Sequence, residues 1–182
     1  NLKQLLNKIG YNKLYPPQES AIKTGLLNGK NVLLSTPTAS GKTLVAIIAS
    51  GKIIIENNKK VVYLTPLRAL ANEKYNEFKE LETLNKKNGE KIKVGISTGD
   101  YNSAGDILGR NDVIILTNEK FDSLIRHETE WIDEVGLFVI DEIHLLNESY
   151  RGPTLEMILT KIMNYMNSQI IALSATINNT KE

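Results

Sequence analysis

Two short polar clusters in this chain have the composition of a site that handles phosphates. Ser40 Gly41 Lys42 Thr43 follows the strand-like run Asn31 Val32 Leu33 Leu34 Ser35 and opens the apolar helical pattern Leu44 Val45 Ala46 Ile47 Ile48. Strand, glycine-containing loop, lysine and hydroxyl, then helix is the order a phosphate cradle requires. Loop N–H groups and the positive end of the helix dipole surround the phosphates, Lys42 reaches the β and γ oxygens, and the Thr43 hydroxyl ligates Mg²⁺. The usual pattern is GxxxxGK[ST], and Thr36 stands where its first glycine would be. The second cluster, Asp141 Glu142 Ile143 His144, ends the apolar run Val135 Gly136 Leu137 Phe138 Val139 Ile140. Such a run suits a strand buried on both faces, and two adjacent acids at its end are costly unless they serve a cation or a water. The pair of clusters reads as the two halves of a nucleotide-hydrolysing site.

The elements that must position these residues alternate along the chain. Candidate strands are Asn31 to Ser35, Val61 to Thr65, Ile92 to Ser97, Asp112 to Thr117, Leu137 to Asp141 and Gln169 to Leu173. Between them lie helical periodicities, in Leu67, Leu70, Ala71, Tyr75 and Phe78, and again in Leu155, Ile158, Leu159, Ile162, Met163 and Met166. This rhythm predicts an α/β fold with a mostly parallel central sheet and helices on both faces, one three-layer domain. The Lys-rich stretch Asn85 to Lys91 reads as a solvated helix end and a loop around Gly89, and Trp131 reads as core. In such a sheet ligands bind outside the carboxyl ends of the strands. Ser35 to Thr43, Thr65 to Arg68, Ser97 to Tyr101, Thr117 to Lys120, Asp141 to His144 and Ser174 to Thr176 each follow an apolar run directly, which implies one working rim.

Composition narrows the class. The chain has 182 residues, 41% of them hydrophobic, enough for one well-cored domain. Lys+Arg 22 against Asp+Glu 21 leaves a net charge of +1, so any polyanion contact must come from local groups. The absence of cysteine excludes disulfides, zinc–thiolate sites and thiol catalysis, and fits a reducing, cytoplasmic setting. The apolar runs are too short to span a bilayer and the N-terminus lacks a signal-peptide core, so no membrane partner is expected.

Taken singly, the remaining polar residues have plain structural readings. Gln18 could be a helix-start residue behind Pro16 and Pro17, Arg68 a solvated first-turn residue, and Asp100 a turn residue beside Gly99. Glu119 and Lys120 could begin a helix, Ser174 and Thr176 could cap one, and His144 could pack beside the strand end.

Their order along the chain is what names a family. Leu14 Tyr15 Pro16 Pro17 Gln18, Thr38 to Thr43, Pro66 Leu67 Arg68 Ala69 Leu70 Ala71, Ser97 Thr98 Gly99 Asp100 Tyr101, Thr117 Asn118 Glu119 Lys120, Asp141 to His144 and Ser174 Ala175 Thr176 resemble the ordered motifs of a superfamily 2 DExH helicase. The stretch His144 to Glu156, with Tyr150 Arg151 Gly152 Pro153 Thr154 Leu155 Glu156, and the stretch Glu119 to His127 are most similar to the archaeal Hjm group of repair helicases, in the Ski-like branch that also holds RNA-directed members. The resemblance implies a RecA-like P-loop NTPase fold and makes residues 1–182 a first motor domain, with N-terminal helices over 1–29 that carry an adenine-recognition motif.

It also implies roles for individual residues. Gln18 would recognise adenine, and Thr38, Ala39, Ser40, Gly41, Lys42 and Thr43 would hold the phosphates of ATP. Thr43 and Asp141 would serve Mg²⁺, the carboxylate mostly through water, while Glu142 orients the attacking water. Removing Glu142 should then leave binding and abolish turnover. His144, Ser174 and Thr176 would couple the site to a second motor domain. Pro66, Arg68, Gly99, Asp100, Thr117, Glu119 and Lys120 would line a sequence-independent nucleic-acid surface.

The activity implied is ATP-driven translocation 3′ to 5′ on single-stranded or forked DNA in repair, with a C-terminal second RecA-like domain and accessory domains as partners and a nucleoid-associated location. The isolated chain is expected to hydrolyse ATP very slowly. An RNA helicase of the same branch, a P-loop ATPase acting on a non-nucleic-acid partner, and a non-hydrolysing nucleic-acid module are the alternatives.

Overall fold

A computed structural model describes residues 6–7, 13–37, 40–99 and 105–175. Within these ranges the chain builds one six-stranded sheet from β1 (Val32–Ser35), β2 (Lys60–Thr65), β3 (Val94–Ser97), β4 (Val113–Thr117), β5 (Val135–Ile140) and β6 (Gln169–Ser174). The order is β1-β6-β5-β2-β4-β3, and every pairing is parallel. Parallel neighbours need crossovers, which here are made by α1 (Pro16–Lys23), α2 (Lys42–Asn57), α3 (Arg68–Phe78), the short α4 (Gly105–Leu108), α5 (Asn118–Arg126) and α6 (Gly152–Tyr165), α1 leading into β1.

The period of two along each strand divides the core. Val61, Tyr63, Val113, Ile115, Leu137 and Val139 face the layer formed by α1, α2 and α3, where Ala46, Ile48 and Phe78 are fully buried. Val62, Leu64, Ile114, Leu116, Phe138 and Ile140 face the opposite layer, against Phe121, Leu124, Leu155, Ile158 and Ile162 of α5 and α6. Both faces of the central strands are therefore covered, which is why they read as continuous apolar runs. Trp131 packs into the second cluster, as expected of a core residue.

Differences from the sequence reading are small and have local causes. β5 begins at Val135 and stops before Asp141, because Asp141 turns its backbone into the loop while still donating its N–H to Leu64 O at 2.9 Å. Met163 does not share the inner stripe of α6. It follows Ile162 by one helical step and is 68% exposed. Leu67 is an exposed, extended residue ahead of α3 rather than part of its buried face. The Lys-rich segment is better ordered than a solvated helix end. Asn85 and Lys91 form an antiparallel bridge around Gly89, and Lys86 is ion-paired to both Glu90 and Asp112. Among the described residues no helix is long and apolar enough to cross a membrane.

Candidate nucleotide site and nucleic-acid groove

Because all strands run the same way, their carboxyl ends share one rim, and two concavities open side by side on it. The first, about 730 Å³, lies over the ends of β1 and β5. That volume is in the range of small-molecule sites.

The phosphate loop holds itself in shape. Thr36, in the place of the usual first glycine, shares a 2.6 Å hydrogen bond with Ser40 Oγ, while its carbonyl accepts from Lys42 Nζ at 2.8 Å. A second carbonyl, that of Pro37, accepts from the same ammonium at 3.2 Å. Gly41 has φ +77, which favours glycine, and a Cβ there would lie 2.2 Å from Gln18 Nε2 and displace that amide. That close approach is functional: Gln18 Nε2 donates to Gly41 O at 3.1 Å while Gln18 Oε1 accepts from Tyr15 N at 2.8 Å. Gln18 thus ties the start of α1 to the loop, combining the helix-start role with a place in the cavity wall. Its amide keeps one N–H and one lone pair beyond these bonds.

The carboxylate half is equally constrained. Asp141 is buried and accepts from Tyr63 Oη at 2.7 Å and from the N–H of Glu142 at 3.0 Å. Burial holds the Tyr63 hydroxyl well above its ordinary pKa, and the adjoining Asp141 charge adds to this, so the phenol remains a donor. Glu142 adopts a left-handed backbone, φ 53 and ψ 43, a conformation that L residues rarely take. Its carboxylate lies 3.2 Å from His144 Nδ1, and the Ser174 hydroxyl lies 3.3 Å from the same nitrogen. Ser174, remote in sequence, therefore joins the neighbours Glu142 and His144 in one contact group. Thr38, Ala39, Asp100 and Thr176 lie outside the described residues.

One part of this cavity had no sequence signal. Lys74, in the middle of α3, is buried and donates to Thr43 Oγ1 at 3.1 Å, Glu73 Oε1 at 3.0 Å and Glu77 Oε1 at 2.8 Å. Burial works against its charge, but the hydrogen bonds to Glu77 and Glu73 outweigh that and leave its pKa above the ordinary lysine value. On the sequence, Lys74 is a polar residue of an amphipathic helix, and only the fold carries it to Thr43.

The second concavity, about 550 Å³, lies over the ends of β2, β3 and β4. It gathers Pro66, Arg68, Gly99, Thr117, Glu119 and Lys120, all expected on a nucleic-acid surface, and adds Tyr150, Arg151 and Thr154. Thr117 caps α5 by accepting from the N–H of Lys120 at 3.3 Å. Tyr150 is 93% exposed, and its turn is set by Gly152, where a Cβ would meet Leu146 O at 2.3 Å. The first turns of α3, α5 and α6 all border this groove, so their partial positive ends face it.

No cluster of three or more acidic or histidine ligands occurs among the described residues. A hydroxyl and a buried carboxylate, Thr43 and Asp141, on the wall of this one cavity nevertheless suit Mg²⁺, which takes few protein ligands and keeps several waters.

The profile of the DEAD/DEAH box helicase family matches residues 15–182. The chain is 50% identical, over 100% of its length, to the ATP-dependent DNA helicase Hel308 of Thermococcus kodakarensis, of which it covers 15%. It is 49% identical over 100% of its length to Hel308 of Pyrococcus abyssi, covering 24% of that protein. In structure it is similar to the DUF1998 helicase MrfA, crystallised bound to DNA, with a TM-score of 0.80, 28% identity, and coverage of 99% of this chain and 27% of the other. The chain therefore spans a quarter or less of the relatives it matches. With a parallel sheet, a phosphate loop and an acidic strand end in the arrangement described, the chain belongs to the DEAD/DEAH box helicase family.

Proposed function

We propose that this chain is the first RecA-like motor domain of an ATP-dependent DNA helicase, acting 3′ to 5′ in repair or fork processing. The observation that carries the reading is the juxtaposition of a nucleotide-sized cavity and a polar groove on one rim, joined by helix α3. Arg68, at its start, lines the groove, and Lys74 and Glu77, farther along, line the cavity. Half of the residues are shared with proteins named as DNA helicases, which favours DNA over RNA.

In this reading Lys42 exchanges the carbonyls of Thr36 and Pro37 for β- and γ-phosphate oxygens, and loop N–H groups from Thr38 to Thr43 complete the cradle. Thr43 and Asp141 hold Mg²⁺, which neutralises phosphate charge when bound. Glu142 polarises the attacking water, and His144 senses it through the shared contact with Ser174, whose strand leads toward Thr176. Gln18 and Tyr15 flank the adenine end of the cavity. The exposed Arg68 and the N–H groups of the helix starts contact strand phosphates, with Pro66, Gly99, Thr117, Glu119 and the largely buried Lys120 shaping the track.

A second motor domain in the same polypeptide would supply the arginine that stabilises the transferring phosphoryl group, a contribution of about 10³ to 10⁵ in rate. The isolated chain is accordingly expected to bind ATP and turn it over very slowly. The deciding experiment is steady-state ATP turnover of the full-length polypeptide with single-stranded DNA, with RNA and with neither. Stimulation by DNA above RNA is the expected result. Greater stimulation by RNA would reassign the substrate, and none by either would overturn the helicase reading.

A further inference from the structure

We propose that Lys74 is a positioning residue of the nucleotide site, which orients the Thr43 hydroxyl toward the divalent cation. The inference rests on the nucleotide–Mg²⁺ reading above and adds a residue to it. Three observations converge. Lys74 is largely buried as a residue and lies on the cavity wall. Its three hydrogens all have acceptors within 3.1 Å, namely Thr43 Oγ1, Glu73 Oε1 and Glu77 Oε1. Finally, those acceptors lie on two elements, so the contact pins α3 to the first turn of α2.

The geometry fixes what the hydroxyl can do. One lone pair of Thr43 Oγ1 is taken by the ammonium, so the hydroxyl proton and the second lone pair are confined to the remaining directions, on a residue that lines the cavity. A ligand held in this way binds a metal without first losing rotational freedom, which is how partners beyond the ligand shell strengthen a site. The positive charge next to a cation would be unfavourable alone. Glu73 and Glu77 offset it and leave the trio with a net negative charge.

The placement on α3 gives the contact a second consequence. Arg68 lies on the groove, and Lys74 follows on the same helix. A shift of α3 on strand binding would move the Thr43 hydroxyl directly, with no intervening loop.

The test is a titration of a fluorescent, non-hydrolysable ATP analogue into the chain, once in EDTA and then across a Mg²⁺ series. Wild type should bind more tightly as Mg²⁺ is added. Lys74→Met, which keeps the aliphatic stem, should need about 10- to 100-fold more Mg²⁺ than wild type to gain the same factor over its own affinity in EDTA. Glu77→Gln should shift the Mg²⁺ requirement in the same direction by less, which guards against a fold defect peculiar to one variant. Combining Lys74→Met with Thr43→Val should add nothing to Thr43→Val alone, because both remove one interaction.

A wild-type chain with equal affinity in EDTA and Mg²⁺ would overturn the nucleotide–metal reading itself. A normal wild-type gain that Lys74→Met preserves or enlarges would overturn the role of Lys74 and leave that reading intact.

Discussion

In the nucleotide cavity Asp141 and Lys74 are buried, and each is fixed by at least two hydrogen bonds to named partners. In the neighbouring groove Tyr150 is 93% exposed, and the ion pair of Arg151 with Glu148 is a loose 3.9 Å contact. On the proposed reading the two differ in what they ask of their ligands. Phosphoryl transfer needs charges held within fractions of an ångström, and burial with full hydrogen bonding provides that rigidity at a cost in desolvation. Sliding along a polymer needs contacts that are individually weak and indifferent to sequence, and the exposed Arg68 and Tyr150 with the helix N-termini suit these. A single parallel sheet supports both because its rim is wide enough to keep them apart.

The sharpest way to break this contrast is at Glu142. Glu142→Gln should lower single-turnover ATP hydrolysis by about 10² to 10⁴ while nucleotide affinity is retained. A parallel loss of affinity would show that the residue binds rather than catalyses. Next in size, Lys42→Met should weaken nucleotide affinity by roughly 1.5–3 kcal/mol, the worth of a hydrogen bond to a charged group. Fluorescence titration would detect it, and an unchanged affinity would show that the ammonium stays on the loop carbonyls.

Tyr63→Phe removes the buried donor to the Asp141 carboxylate and should cost about 1.5–3 kcal/mol in urea unfolding. It also carries a pH signature. The native hydroxyl titrates above its unfolded value of 10.0, so its stabilisation is complete below that pH and is lost as pH climbs through the raised native value. Wild type should therefore lose stability in strong alkali more steeply than Tyr63→Phe. The smallest effect belongs to the groove. Arg68→Ala should weaken single-stranded DNA binding a few-fold on every sequence and reduce the slope of log affinity against log salt by about 0.7. A sequence-selective loss would contradict a phosphate-tracking surface.

What was legible in the sequence follows the same contrast. β2, β4 and β5 declared themselves because both faces are covered, and their ends located the rim to within a residue or two. The loop and acidic clusters declared themselves through motif order. Lys74 and the Tyr63 hydroxyl did not, since each acts on a partner remote in sequence, Thr43 and Asp141, and each sits in an element whose local pattern already explains it. Tyr150 and Arg151 were noticed only as marks of resemblance, for a turn whose shape depends on the missing Cβ of Gly152 cannot be aimed without coordinates. Met163 was misplaced because a three- or four-residue spacing admits one residue too many to the inner stripe of α6.

The left-handed backbone of Glu142 bears on the history of this fold. A side chain in that conformation costs roughly 1–2 kcal/mol, which glycine would not incur. Any lineage relieved of the need to hydrolyse nucleotide is thus expected to drift toward glycine or asparagine at position 142 and to gain stability by doing so.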